Sequence, residues 1–156
     1  MQDPNSWNSL VINRRKPHTY RAWKMLGNDR VCVHKFDPCE PDDCFVHPHP
    51  WPAAFLILDG KYIQNIGYSK DLTDKDPTMI YREVLTRGSM YEMDSPTLWH
   101  SVQPLTTTYT IMLNGEPWDA HESTRRTKGK DLDEMSHDEL LKHLQKASVH
   151  LRSLGV

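Results

Sequence analysis

The chain has 156 residues, a formal charge of −2 with its nine histidines neutral, and three cysteines. That length builds one domain that buries roughly two thirds of the surface its unfolded form would expose. The near-neutral charge gives no positive field for nucleic acid or an anionic membrane, and an odd cysteine count in a chain without a leader-like start argues against a disulfide framework.

No stretch approaches the ~20 apolar residues of a membrane span, so a soluble, cytoplasmic protein with a small-molecule or protein partner is expected. Residues 1–18 are polar apart from Trp7 and Leu10-Val11-Ile12, and read as an arm with one edge strand. From Thr19 the pattern changes: Tyr20 to Leu26 and Val31 to Phe36 form a hairpin about the turn Gly27-Asn28-Asp29. The loop Asp37 to Asp43, dense in proline and acid, then delivers the chain to His47-Pro48-His49-Pro50-Trp51.

Ala53 to Leu58 is apolar in both phases and stops at Asp59-Gly60, which predicts a strand buried on both faces and closed by a turn. Lys61 to Gly67, Met79 to Thr86, Met90 to Met93, Leu98 to Gln103 and the β-branched run Thr106 to Leu113 follow as further strands, with a polar excursion at 68–77. About eight or nine short strands at this spacing belong to an antiparallel sandwich or small barrel. Residues 118–135 are a polar linker in which Arg125, Arg126, Lys128 and Lys130 lack interleaved aromatics, so a solvated segment fits better than a nucleic-acid patch. Ser136-His137-Asp138-Glu139 is a capping box, and Leu140, Leu144, Ala147, Leu151 and Leu154 behind it fall at helical spacing, predicting a C-terminal helix over 136–154.

Residues two apart on an extended chain point the same way, so His47 and His49 can present both imidazoles to one point. His100, in Leu98-Trp99-His100-Ser101-Val102, answers them from a later strand. Three neutral imidazoles converging from two strands make a divalent-metal site, for which Zn, Ni, Mn and Fe(II) are all candidates. A rival set, Cys39, Cys44, His47 and His49, has spacing that suits a structural zinc.

With those residues in view the chain resembles the cupin superfamily over about 19–117. His47, His49 and Gly60 match the first cupin motif, whose glutamate position falls on Ala53. Gly88, Pro96 and His100 follow the second with one extra residue, and its frequent asparagine falls on Pro104. The resemblance implies an all-β double-stranded β-helix, here a cupin or jelly-roll barrel with one C-terminal α-helix. It implies as well a three-histidine centre similar to that of the thiol dioxygenases and some diketone-cleaving dioxygenases, where substrate chelates iron and O2 takes an adjacent position. The 2-oxoglutarate hydroxylase pattern needs a carboxylate where His49 stands.

The expected function is thus a non-haem Fe(II) dioxygenase acting on a small chelating substrate and O2. A metal-dependent lyase or isomerase and a non-catalytic binding cupin are its alternatives. Trp51, Trp99, Phe55 and Tyr62 are expected to wall the pocket. Arg21, Arg82, Arg87, Arg14 and Arg15 are candidate anchors for a substrate carboxylate, and Tyr109, Tyr62 and Tyr81 candidate phenols; Arg82 and Tyr109 are carried forward as catalytic residues. The arm and an edge strand are expected to support a homodimer.

Overall fold

The computed structural model describes residues 3–118 and 132–155. The cationic cluster Arg125, Arg126, Lys128 and Lys130 lies outside the described residues. The strands are β1 Asn8–Ile12, β2 Thr19–Leu26, β3 Asp29–Phe36, β4 His47–Pro48, β5 Ala53–Asp59, β6 Lys61–Tyr68, β7 Thr78–Thr86, β8 Met90–Met93, β9 Leu98–Pro104 and β10 Thr108–Asn114, followed by the helix α1 His137–Arg152. They form two antiparallel sheets, one ordered β1-β2-β3-β10-β5-β8 and the other β4-β9-β6-β7. Consecutive strands switch sheets repeatedly, as in a double-stranded β-helix, and the two inner faces enclose a core of Cys32, Phe55, Ile66, Met93, Leu98 and Met112.

The apolar run of β5 has a partner on each side. Phe55 and Ile57 face the barrel, whereas Leu56 and Leu58 face outward and meet the helix. At its end Gly60 turns into β6 with φ +88, and a Cβ there would lie 2.5 Å from the Thr107 carbonyl oxygen, so both conformation and space require glycine. The hairpin β2–β3 closes at Leu26 opposite Asp29, as its turn residues predict.

The helix starts where its capping box places it. Ser136 Oγ accepts from the Glu139 amide at 3.4 Å, and Glu139 Oε2 accepts from the Ser136 amide at 2.8 Å. Leu140, Leu144 and Ala147 bury against Ala22, Val33, Leu58 and Tyr109 on the outer face of the larger sheet. His143 shares this buried stripe and donates from Nε2 to the Val33 carbonyl at 3.1 Å. The helix thus covers the sheet that backs the barrel, leaving the opposite face of that sheet for the site.

Candidate metal centre

β4 pairs antiparallel with β9, placing His47 opposite His100 and Pro48 opposite Trp99. His49 follows two residues after His47 and turns back toward the same point. One nitrogen from each of His47, His49 and His100 falls within 4.8 Å of the other two, the one such group of three or more metal-ligating side chains among the described residues. The Nε2 atoms of His49 and His100 are 3.0 Å apart. Two ring nitrogens each about 2.1 Å from one ion and at right angles would be separated by about 3.0 Å, so this pair fits a shared divalent cation.

Protonation agrees with that fit. Burial first, partly offset by the Phe45 carbonyl, brings His47 down to about 4. Burial and then the neighbouring histidines hold His49 and His100 well below the ordinary imidazole range. All three are neutral at pH 7 and offer lone pairs. His47 Nδ1 donates to the Phe45 carbonyl at 3.4 Å, which leaves its Nε2 free to ligate. The Nδ1 atoms of His49 and His100 are buried without a partner among the described residues. Ala53, at the position of the cupin glutamate, is a buried alanine on β5, so these three side chains bring no negative charge to the centre.

The predicted wall divides. Phe55 packs its ring edge on His49 with centroids 5.4 Å apart, and Tyr62 faces inward from β6. Trp51 sits under the Arg30 guanidinium, 4.4 Å from its ring centre. Trp99 does not join them: it precedes His100 on β9, and adjacent strand residues face opposite sides of a sheet. The same alternation removes both expected catalytic residues from the site. Tyr109 points outward to the helix, its ring 5.8 Å from His143 and 5.3 Å from His150. Arg82 is exposed on the edge strand β7 and pairs with Asn65, whose amide bonds Ser101 on the face away from His100. The zinc alternative also fails, because Cys39 and Cys44 approach each other, Sγ to Sγ 3.6 Å, and not the histidines.

Four inward residues went unrecognised or unchosen. Tyr91 stacks on Phe55 at 4.4 Å, lies 6.2 Å from the His100 ring and accepts a hydrogen bond from Tyr62 Oη at 2.8 Å. Its own hydroxyl hydrogen remains available, and burial keeps the phenol protonated. Gln64, fully buried on β6 between Tyr62 and Ile66, has neither amide atom bonded among the described residues. Arg21 and His34 face the barrel as a register pair of β2 and β3, with Arg21 Nε 2.9 Å from His34 Nε2. A polar residue in the apolar phase of a strand is the signal for Gln64; nothing local marks Tyr91.

Solved structures share this architecture. Hydroxypropylphosphonic acid epoxidase from S. wedmorenis superposes with a TM-score of 0.55 at 15% identity, over 73% of this chain and 58% of that one. Fe(II)-HppE with the alternative substrate (S)-1-HPP gives 0.56 at the same identity and the same coverage, and FeII HppE in complex with substrate gives 0.55 over 59% of its chain. The barrel is a cupin fold. This chain spans less than two thirds of the length of those proteins, and at 15% identity the likeness is one of fold. No protein-family model matches the sequence, and no curated protein matches it.

Proposed function

We propose that this cupin is a non-haem iron oxygenase, most specifically a dioxygenase, in which His47, His49 and His100 hold one Fe(II) and a small substrate ligates the metal beside O2. The observation that carries the reading is the convergence of the three ring nitrogens within 4.8 Å. The all-histidine donor set supports the resemblance to the thiol dioxygenases over centres with a carboxylate ligand. The Fe(II) neighbours of the same fold support iron as the metal.

A bound Fe(II) would supply open coordination positions at which a substrate and O2 can meet. The chain supplies position, dryness and a proton. Phe55 and the stacked Tyr91 form an apolar wall against His49 and His100 that limits water. Tyr62 orients the Tyr91 hydroxyl by donating to it, so the Tyr91 proton is aimed away from Tyr62 and is available to a substrate oxygen or sulfur. A lyase or isomerase would use the same histidines and the same phenol without O2.

In this reading residues 19–117 carry the activity, with the 1–18 arm and the 136–154 helix as supports. The free thiols of Cys32, Cys39 and Cys44 support a reducing, cytoplasmic setting. The exposed edge strand β7, with Ile80 and Val84 on its surface, supports a homodimer.

The test is metal content of protein purified anaerobically without chelators. About one iron per chain is expected, lost in His49→Ala and His100→Ala while both remain folded by circular dichroism. Oxygen uptake with a panel of small thiols and diketones then separates the oxygenase from a lyase, whose turnover is indifferent to O2. Wild-type protein that binds no divalent metal refutes the proposal.

A further inference from the structure

Cys39 and Cys44 are two thiols that neither the core nor the metal centre uses. They flank the one-turn 3-10 helix Pro41–Asp43, whose backbone closes twice: the Asp43 N–H donates to the Glu40 carbonyl at 3.1 Å and the Cys44 N–H to the Pro41 carbonyl at 3.2 Å. Proline at 41 fixes φ at the start of that turn, so the backbone itself folds Cys44 back on Cys39. Their Sγ atoms meet at 3.6 Å, in van der Waals contact, and both thiols are half-buried and free. Cys32, by contrast, is buried on β3 beside Asn114. No third ligand completes a metal site around the pair among the described residues.

The pair joins the two strands that carry the histidines. Cys39 is tied to the end of β9, its N–H donating to the Pro104 carbonyl at 3.2 Å and its carbonyl accepting from Gln103 Nε2 at 3.4 Å. Cys44 leads into β4 through Phe45, whose carbonyl accepts from His47 Nδ1 at 3.4 Å. The arm holds the other side of this loop, with Lys16 Nζ 2.9 Å from Asp43 Oδ2 and the Arg15 guanidinium 3.8 Å from the centre of the Phe45 ring. A disulfide is about 2.05 Å long, so closing one draws the sulfurs together by about 1.5 Å and ends the Cys44 Sγ–H bond to the Glu40 carbonyl. Because both backbone groups of Cys39 are fastened to β9, the movement falls on Cys44 and on Phe45 behind it.

We propose that Cys39 and Cys44 are a site of reversible oxidation, at which a peroxide converts the dithiol to a disulfide and loosens the hold of Phe45 on His47. One sulfur attacks a peroxide oxygen, the O–O bond breaks, and water leaves a sulfenic acid behind; the second sulfur then displaces its hydroxyl as a second water and the S–S bond forms. Two electrons pass from the two sulfurs to the peroxide, and both thiol protons leave in the waters. A small thiol such as glutathione reverses the step by exchange, so the pair suits a reducing setting in which disulfides are transient. Burial first, then Cys39 and Asp43 beside it, push the Cys44 thiol up to about 12, and burial raises Cys39 as well. Both are protonated at pH 7, so oxidation quickens as pH rises, and as poor leaving groups the two sulfurs make the disulfide slow to reduce. The effect on the histidines rests on the metal-centre reading, and the test separates the two.

The full chain is freed of metal, reduced, and treated with a few equivalents of hydrogen peroxide. Tryptic cleavage leaves Cys39 and Cys44 together on peptide 36–61 and Cys32 on another, so mass spectrometry reads the pair alone. That peptide should lose two hydrogens, faster at pH 9 than at pH 7, and regain them with dithiothreitol. Titration with Co(II), followed by its absorption bands, should show affinity roughly ten- to a hundredfold weaker in the oxidised chain, the scale of losing an outer hydrogen bond to a ligating histidine. Reduction should restore it. Cys39→Ser and Cys44→Ser should bind Co(II) as the reduced wild type does, before and after peroxide.

Thiols that stay unpaired, go on to sulfinic acid or link separate chains overturn the proposal. So does an internal disulfide that leaves Co(II) affinity within twofold, or a loss of affinity that Cys44→Ser shares. If the reduced wild type takes up no Co(II), the metal reading fails, and the His47 ring resonances decide the switch alone by NMR. A reversible shift of those resonances on oxidation upholds it, and unchanged resonances remove it.

Discussion

Replacing Gln64 by methionine should make the protein more stable. Gln64 is fully buried on the barrel face of β6, and neither its Oε1 nor its Nε2 has a partner among the described residues. An unpaired buried polar group costs about 1–3 kcal/mol. Methionine has nearly the same length and needs no partner, and Val102 and the flanking Tyr62 and Ile66 offer it an apolar surround. Removing both orphaned atoms should therefore contribute about 1–3 kcal/mol, counting conservatively for one group. In a domain of this size that is a rise in Tm of roughly 2–12 °C. Urea unfolding gives the same quantity as a higher midpoint at constant m-value. Gln64→Leu should follow it in direction, and Gln64→Glu should destabilise. A methionine variant less stable than wild type by 1 kcal/mol or more would refute the reasoning, because the amide must then be fully hydrogen-bonded in solution. Gln64 faces the same interior as His100, so the expected companion of extra stability is weaker substrate binding.

Other perturbations test the frame that holds the site. Leu144→Ala empties a fully buried position under the helix and should cost about 2–5 kcal/mol, read from chemical unfolding; a cost below 1 kcal/mol would mean that the helix does not bury this face. Gly60→Ala combines a left-handed φ with a contact to the Thr107 carbonyl and should cost more than about 2 kcal/mol, whereas Gly27→Ala, with open space around it, should pay only the backbone penalty of about 1–2 kcal/mol. Both are measured by the same urea midpoints. Metal-free protein should lose stability as pH falls below about 6.5. His34, His47, His49 and His100 are held neutral in the folded chain by burial, whereas the unfolded chain protonates them at the ordinary value. The unfolded state then binds more protons, and stability falls by about 1.4 kcal/mol per pH unit for each histidine. For His47 the loss continues to its folded value of about 4. Unfolding free energies that stay flat from pH 7.5 to 5 would contradict this.

Local pattern determined much of this protein. The period-two alternation of β3, the doubly apolar run of β5 and the β-branched β10 are written in adjacent residues, because a strand's propensity and phase are local properties. The capping box fixes the helix start for the same reason. His47 on β4 and His49 just beyond its end stand two residues apart, the spacing that marks them as a pair in the sequence, and the barrel brings His100 across to them by pairing β4 with β9. Long-range pairing decided the rest. Which phase of each strand faces inward depends on the sheet behind it: the helix claims one face of the larger sheet, sending Tyr109 and Ala22 outward and Arg21, His34 and Thr110 into the barrel. Arg21 and Arg82 are equivalent in sequence, each a cation within a strand. They differ in structure because β2 lies beside β3, where His34 receives the Arg21 Nε–H, while β7 ends its sheet and leaves Arg82 in solvent. Tyr91 joins the centre because β8 pairs with β5 and sets its ring on Phe55, a contact between residues 36 positions apart that no local pattern encodes.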